Sequence, residues 1–550
     1  MHGLNVHDTD PPLMSLCGDS DIGELKNKAE GTVTEEELKA VLKRYNLRDG
    51  LIVLGKASNF VNNYKGEGAI GRAAFRDPKT GVFVTQFGLA YLANALITSG
   101  ANDYKAKHLG NQQNILLLSN IYSNCLVSPE IKKDKNAPVQ KKDLTSMLVR
   151  MYAEQFEYQF NAVLLIARTI VIYSDLVNKV LPSRFEKFTT IFERETRLTI
   201  EEYFFLSVAA WACVQKTATF RKEALTEARI PSMQSVLTDE KVSSFLNILT
   251  ADYKTFRAED QKANTSLDSV FTKFRFNPLL LYPIIKADRI EIDPYIVPNT
   301  LAFAKKAFGG LYWWFHRYFK AKGIWHDFRN YYGELFEQYV GLILRKMYGE
   351  VNVHPEITYK TGKFIDWWVE RDGKIYLFEA KAYQFALTTK QTGDLDILIK
   401  EVKSKIVQTI EQVYRRIQDI PKYNELAVFR GKQLIPVIIF MEIPLASGNL
   451  YKEIVDEELE KLEQSGLKGV KNAKIHFLNI EELELYGGAV DKISLEEAFS
   501  RYEHNTKDGF LSVIGKEVGK PLMNKYLGDV YYDFWKRMTG RDTKIKENNE

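Results

Sequence analysis

The segment GKFIDWWVERDGKIYLFEAKAY, residues 362–383, sets Asp366, Glu379 and Lys381 into two apolar, aromatic runs joined by Asp372-Gly373. Asp-Gly between such runs is a strong signal for a two-residue hairpin loop. With Arg371 and Lys374 as the flanking pair, Glu370 faces Ile375 and Asp366 faces Glu379, with Cβ atoms roughly 5 Å apart. Lys381, two residues on, shares that face. Opposed carboxylates in a half-buried sheet repel, so the pattern is stable only with positive charge between them. A divalent cation would supply that charge. Lys381 alone would make the group a structural salt-bridge trio. An acid two residues before a lysine recurs in this chain, at Asp103-Tyr104-Lys105, Asp239-Glu240-Lys241, Asp252-Tyr253-Lys254 and Glu401-Val402-Lys403, all in helical or polar stretches. Glu379-Ala380-Lys381 differs in lying on an apolar strand with an aspartate in register.

Two helices must flank this hairpin. In YYGELFEQYVGLILRKMYG (331–349), Leu335, Phe336, Tyr339, Val340, Ile343 and Met347 form an apolar stripe bordered by Glu337. Gly333 and Gly341 lie one turn to either side, leaving that carboxylate in a gap open to a ligand or metal, while Glu334 points further toward solvent. After the hairpin, Ile399, Val402, Ile406, Ile410, Val413 and Ile417 form a core stripe, and Lys405, Gln408, Gln412 and Arg416 collect on one polar flank. Cationic and amide donors beside a carboxylate site suit a phosphodiester strand; a solvated helix face is the plainer reading.

A helix with GELFEQYV, a strand with FIDWW, a strand with YLFEAKAY and an amphipathic helix carrying Gln408 together resemble the PD-(D/E)xK phosphodiesterase superfamily, the restriction-endonuclease-like fold. The resemblance spans about 328–480; Ile365 stands where the name-giving proline would be. It implies that Asp366 and Glu379 bind Mg²⁺, with Mn²⁺ able to substitute, and that Lys381 orients or activates water. It also implies that Glu337 assists through the metal shell and that Gln408 matches the helix glutamine of some members, with Gln412 as competitor. The implied catalytic set is Asp366, Glu379, Lys381, Glu337 and Gln408; the implied metal ligands are Asp366, Glu379 and Glu337. Lys405, Gln412 and Arg416 are expected at the nucleic acid. The implied activity is a Mg²⁺-dependent DNA endonuclease leaving a 5′-phosphate and a 3′-hydroxyl. A non-cleaving nucleic-acid-binding or scaffold protein with a nuclease-like domain, or an RNA nuclease, are the alternatives. A large helical module attached to such a nuclease resembles bacterial anti-phage defence and restriction effectors, which implies DNA, a homo-oligomer and a partner protein of the N-terminal domain as partners.

The elements around the hairpin read helix (328–348), strands (351–359, 364–370, 375–383), helix (396–418), strand (434–443), helix (450–464) and strand (473–480), a mixed α/β domain. The expected fold is multidomain: a flexible tail over 1–30, a mainly α-helical region over 31–325, the α/β nuclease domain with a mixed central sheet over 326–484, and a helical segment over 485–550. Within the helical region Thr34 is a plausible N-cap, 132–143 is a polar break, and the proline-rich 274–298 reads as a connector of short extended pieces.

Composition sets the outer limits. The 550 residues are 45% hydrophobic and 27% charged, enough for several packed cores. With 75 Lys+Arg against 71 Asp+Glu the net charge is +4, so any polyanion site must arise from local arrangement. Three dispersed cysteines, Cys17, Cys125 and Cys213, give no disulfide framework or zinc site and suit a reducing compartment, with the cytoplasm as the expectation. The apolar runs at 160–173 and 203–214 are too short to cross a bilayer. The acidic N-terminus does not look like a signal peptide. GLIVLGKAS (50–58) has phosphate-loop spacing, but Ala57 stands where a magnesium-binding hydroxyl is required. GEGAIG (66–71) lacks a surrounding βαβ unit, so no nucleotide cofactor is expected. The eight histidines form no metal motif. The aromatic run 309–319 reads as core packing at helical spacing rather than a base-stacking platform.

Overall fold

The computed structural model describes residues 19–540 apart from 29–30, 68, 71, 111, 127–159, 227–232, 288–293, 372, 385, 393, 443–451, 468–473, 505–509 and 520–521. The polar break at 132–143, Cys17, Asp372, Gly68 and Gly71 lie outside the described residues.

The functional elements are organised by a five-stranded mixed sheet. Its strands are β1 (Val353–Pro355), β2 (Trp367–Arg371), β3 (Lys374–Lys381), β4 (Gln433–Phe440) and β5 (His476–Asn479), in spatial order β5-β4-β3-β2-β1. β1, β2 and β3 run antiparallel in turn, and β4 and β5 add parallel to β3. Helix α1 (Trp325–Tyr348) precedes β1. Between β3 and β4, α2 (Leu395–Val402) and α3 (Gln408–Asp419) are joined by a π-helical turn at Lys403–Val407. The element order read from the pattern is therefore present, as is the hairpin register: Arg371 pairs with Lys374, Glu370 with Ile375 and Trp367 with Phe378. Gly373 takes φ +74°, the left-handed conformation the tight turn requires.

The two faces of the sheet are covered by different parts of the chain. Side chains of Trp367, Val369, Tyr376, Phe378, Val437 and Ile439 enter a core that also holds Phe328, Tyr339 and Ile343 of α1. That same core continues into helices Ala162–Ile170, Ile200–Val214, Thr300–Gly309 and Leu311–Ala321, and into the C-terminal helices Ile480–Tyr486 and Lys525–Thr539. The opposite face, with Trp368, Ile375, Leu377, Ile438 and Phe440, packs on Val402, Ile410 and Val413 and on Leu459 of the helix Lys452–Gln464. A further core joins residues 22–126 to residues 251–302, including Leu51, Leu92, Phe256 and Ile285.

Several expectations are corrected. The sheet's first core runs unbroken across residue 325, so the helical region and the α/β region share one packed interior there. The tail expected over 1–30 is, in its described part, the helix Ser20–Lys26: Asp19 caps it, Ile22 and Leu25 are buried, and Lys107 pairs with both Asp19 and Asp21. The N-terminal region also contains short strands: a three-stranded sheet within 69–85, and a four-stranded one formed by Thr219–Phe220, Thr250–Asp252, Ile284–Lys286 and Tyr295–Ile296. The last two strands are the extended pieces expected of the proline-rich connector. Thr34 does cap Glu35–Leu42, in a capping box with Glu37. The phosphate-loop look-alike at 50–58 lies inside the helix Leu47–Asn63 and offers no loop of free amides. In the aromatic helix Leu311–Ala321, Leu311, Phe315 and Phe319 are buried in the core, as the spacing predicts. No helix among the described residues is long and apolar enough to cross a membrane.

Candidate active site

β3 alternates its side chains between the two cores, so Ile375 and Leu377 point to the α2–α3 side and Glu379 and Lys381 follow on that face. Glu379 is 1% exposed, deep for a carboxylate. It is tolerated there because both of its oxygens are paired. Lys381 Nζ donates to Oε1 at 2.7 Å and Arg416 donates to Oε2 at 2.8 Å. Arg416 comes from α3, which lies over this face of the sheet.

Asp366 immediately precedes β2. One of its oxygens accepts the Ala380 backbone N–H at 2.8 Å, which ties the aspartate to β3 beside Glu379. Among the described residues neither Asp366 nor Glu337 has an ion-pair partner. Burial, followed by the charges of Glu379 and Glu337, holds the Asp366 carboxyl well above the ordinary carboxylate range. Burial, followed by the charge of Glu356, pushes Glu337 up to about 7. Glu379 and Glu334 contribute in the same direction, while Lys363 acts against them. These carboxyls therefore sense one another, and the charges of Lys363 and Lys381 nearby do not offset burial and repulsion.

Glu337 reaches the site from the other layer. The Trp367 indole N–H donates to the Glu337 carbonyl at 2.8 Å, and the Arg345 guanidinium lies over the same indole at 4.7 Å. The gap expected around Glu337 is open on one side only. A Cβ added to Gly333 would meet nothing within 4 Å, whereas one added to Gly341 would collide with the Trp367 ring. Gly341 thus lets α1 settle on the sheet.

On α3 the structure separates residues that the sequence groups together. Gln412 accepts a hydrogen bond from Lys381 Nζ at 3.4 Å, while Gln408 is exposed. Of the two glutamines, Gln412 is therefore the one at the lysine. Gln412 lies one helical turn beyond Gln408 on the same flank, and that is the level at which Lys381 meets the helix. Leu398 rather than Ile399 is buried at the start of this stripe, while Val402, Ile406, Ile410 and Val413 are buried as the spacing predicts. Arg416 is held inward by Glu379. Lys405 stacks over the Tyr383 ring at 5.4 Å.

Lys363 was missed from the sequence. It ends a small hairpin, Thr358–Tyr359 against Gly362–Lys363, that folds back toward α3 and brings the lysine within charge-sensing range of Asp366 and Glu337. The two-residue turn Lys360-Thr361, followed by Gly362, is the signal that marks it. A cleft of about 480 Å³ lies between this hairpin and α3, lined by Gly362, Lys363, Gln408, Gln412, Arg415 and Arg416 among others.

The donor set suits a hard cation. It offers carboxylate oxygens whose mutual repulsion such an ion would relieve, and Mg²⁺ needs only one or two carboxylates when waters and phosphate complete its shell. Among the described residues, however, no group of three or more His, Cys, Asp or Glu side chains is arranged to hold a metal ion. The fit is thus to Asp366 and Glu379, with Glu337 further out, rather than to a cage of three ligands. Compared with family models, curated proteins and solved structures, the chain gives no match.

Proposed function

We propose that this chain is a Mg²⁺-dependent nuclease that hydrolyses phosphodiester bonds of DNA. The observation that carries the reading is the register that sets Asp366 beside Glu379-Ala380-Lys381, with the Asp366 carboxyl pushed up by burial and by the charges of Glu379 and Glu337. Asp366 and Glu379 would hold the ion, Mg²⁺ or Mn²⁺. When bound, the ion supplies a Lewis acid for the phosphodiester and a more acidic water. Lys381, already held by Glu379 and Gln412, is placed to orient an attacking water. Glu337, with its carboxyl near neutrality, is suited to accept a proton at the rim of the site. Lys363 and the α3 side of the cleft offer donors to the phosphate backbone.

The test is cleavage of supercoiled and linear DNA with Mg²⁺. Asp366→Ala and Lys381→Ala are each expected to lose at least about 100-fold in rate. Wild-type rates in both variants would refute the assignment.

A second reading, a nucleic-acid-binding scaffold that does not cut, draws on a specific feature: Glu379 is already neutralised by Lys381 and Arg416. Tight binding with no cleavage of DNA or RNA in Mg²⁺ and Mn²⁺ would favour it. Cleavage of RNA in preference to DNA would reassign the substrate.

A further inference from the structure

Arg416 occupies a position that joins two environments. On one side its guanidinium donates to Glu379 Oε2 at 2.8 Å, with the arginine side chain 17% exposed and the glutamate 2%. On the other it lines the cleft shared with Lys363 and Gln412. Its neighbour Arg415 behaves differently, pairing along the helix with Glu411 at 2.6 Å and standing 61% exposed.

We infer that Arg416 exchanges partners. In the metal-free protein it is the counter-ion of Glu379, and when a divalent cation takes that carboxylate the guanidinium is released into the cleft to bind a substrate phosphate. This rests on the proposed metal site and gives Arg416 a role in it. The physical basis is competition for one anion. Glu379 is buried and must be neutralised, and a divalent ion shared with Asp366, which the Ala380 amide ties beside it, would neutralise both carboxylates where Arg416 pairs with Glu379 alone. A guanidinium freed from a carboxylate keeps the planar fork that fits phosphate. Binding of ion and of nucleic acid are then linked through one side chain, so each favours the other. The arrangement also keeps the cleft less attractive to polyanions until the ion is present.

The linkage is read by two binding measurements, neither of which requires turnover. Calorimetric titration with Mn²⁺ in the absence of nucleic acid is expected to show about tenfold tighter binding in Arg416→Met than in wild type, and no change in Arg415→Met. Fluorescence anisotropy with a labelled DNA duplex is expected to show Arg416→Met weakened about tenfold in Ca²⁺ but matching wild type in EDTA. Equal Mn²⁺ affinity in Arg416→Met and wild type would overturn the exchange, as would an equal loss of DNA binding in Ca²⁺ and EDTA. Tightening in Arg415→Met as large as in Arg416→Met would also overturn it, as a general effect of lost charge. If Arg416→Met does not fold, Arg416→Gln is read by the same two titrations and the same criteria. Absence of any Mn²⁺ or Ca²⁺ binding to the wild type would remove the metal-dependent reading itself, an outcome distinct from intact metal binding that Arg416 does not influence.

Discussion

At the scale of single residues, the site is a set of carboxyls held at unequal cost. Glu379 is deeply buried yet paired twice, whereas Asp366 has a backbone amide as its hydrogen-bond donor. An acid whose pKa rises on folding favours its neutral form. Its stabilising contribution is full below the ordinary value and is lost as the pH climbs through the folded value. For Glu337 that window runs from 4.5 to about 7, and Asp366 adds to the loss in the same direction. In EDTA, the urea midpoint is therefore expected to fall between pH 5 and pH 8, and Glu337→Gln to flatten the profile. Asp366→Asn removes a repelled charge while leaving an oxygen for the Ala380 amide. It is expected to stabilise the metal-free protein by about 1–3 kcal/mol at pH 8 while abolishing cleavage. An unchanged midpoint in that variant would show that Asp366 is not destabilising. These residues are legible in the sequence because β2 and β3 have period two and Asp-Gly fixes their offset, so counting alone places residue 366 near 379.

At the scale of elements, how helices meet the sheet matters as much as what they carry. Gly341 allows α1 to rest on Trp367, and Trp367 in turn holds the Glu337 carbonyl. Gly341→Ala is expected to cost about 1–3 kcal/mol through overpacking and to reduce cleavage even well below the unfolding temperature, because α1 must lift. Gly333→Ala, with open space around it, is expected to be neutral or stabilising by up to about 1 kcal/mol. Thermal unfolding and cleavage measured on both variants separate the two positions. Equal effects would mean that α1 is not seated by Trp367. The sequence does show a helical stripe over 396–418, but it does not show the π turn. An apolar pattern at spacings of three and four is compatible with a regular helix and with one widened turn, and it does not tell how far along the helix Lys381 lies, which decides between Gln408 and Gln412. The same limit hid the layer assignments. The stripe of Leu311, Phe315 and Phe319 states that one face is buried, not which partner buries it.

At the scale of the whole molecule, the sheet is completed by segments far away in the chain. Arg168 makes two hydrogen bonds at 2.7 Å to Glu484, and the Tyr339 hydroxyl of α1 donates to the same carboxylate at 2.6 Å. One fully buried glutamate thus joins an N-terminal helix, a C-terminal helix and the helix that carries Glu337. Glu484→Gln leaves Arg168 buried without its counter-charge and is expected to destabilise by about 3–5 kcal/mol, read as a lowered urea midpoint. A change of less than 1 kcal/mol would assign the joint to packing alone. This architecture also orders events in time. Arg168 leaves the ribosome 316 residues ahead of Glu484, and the helix Lys525–Thr539 that packs against Ala162–Ile170 follows later still. Contacts so distant in sequence close late. A nascent chain can carry Asp366, Glu379 and Lys381 and still lack the layer that seats α1. If the site cuts nucleic acid, it stays unassembled until Glu484 and the helix Lys525–Thr539 have been made and have packed against Ala162–Ile170.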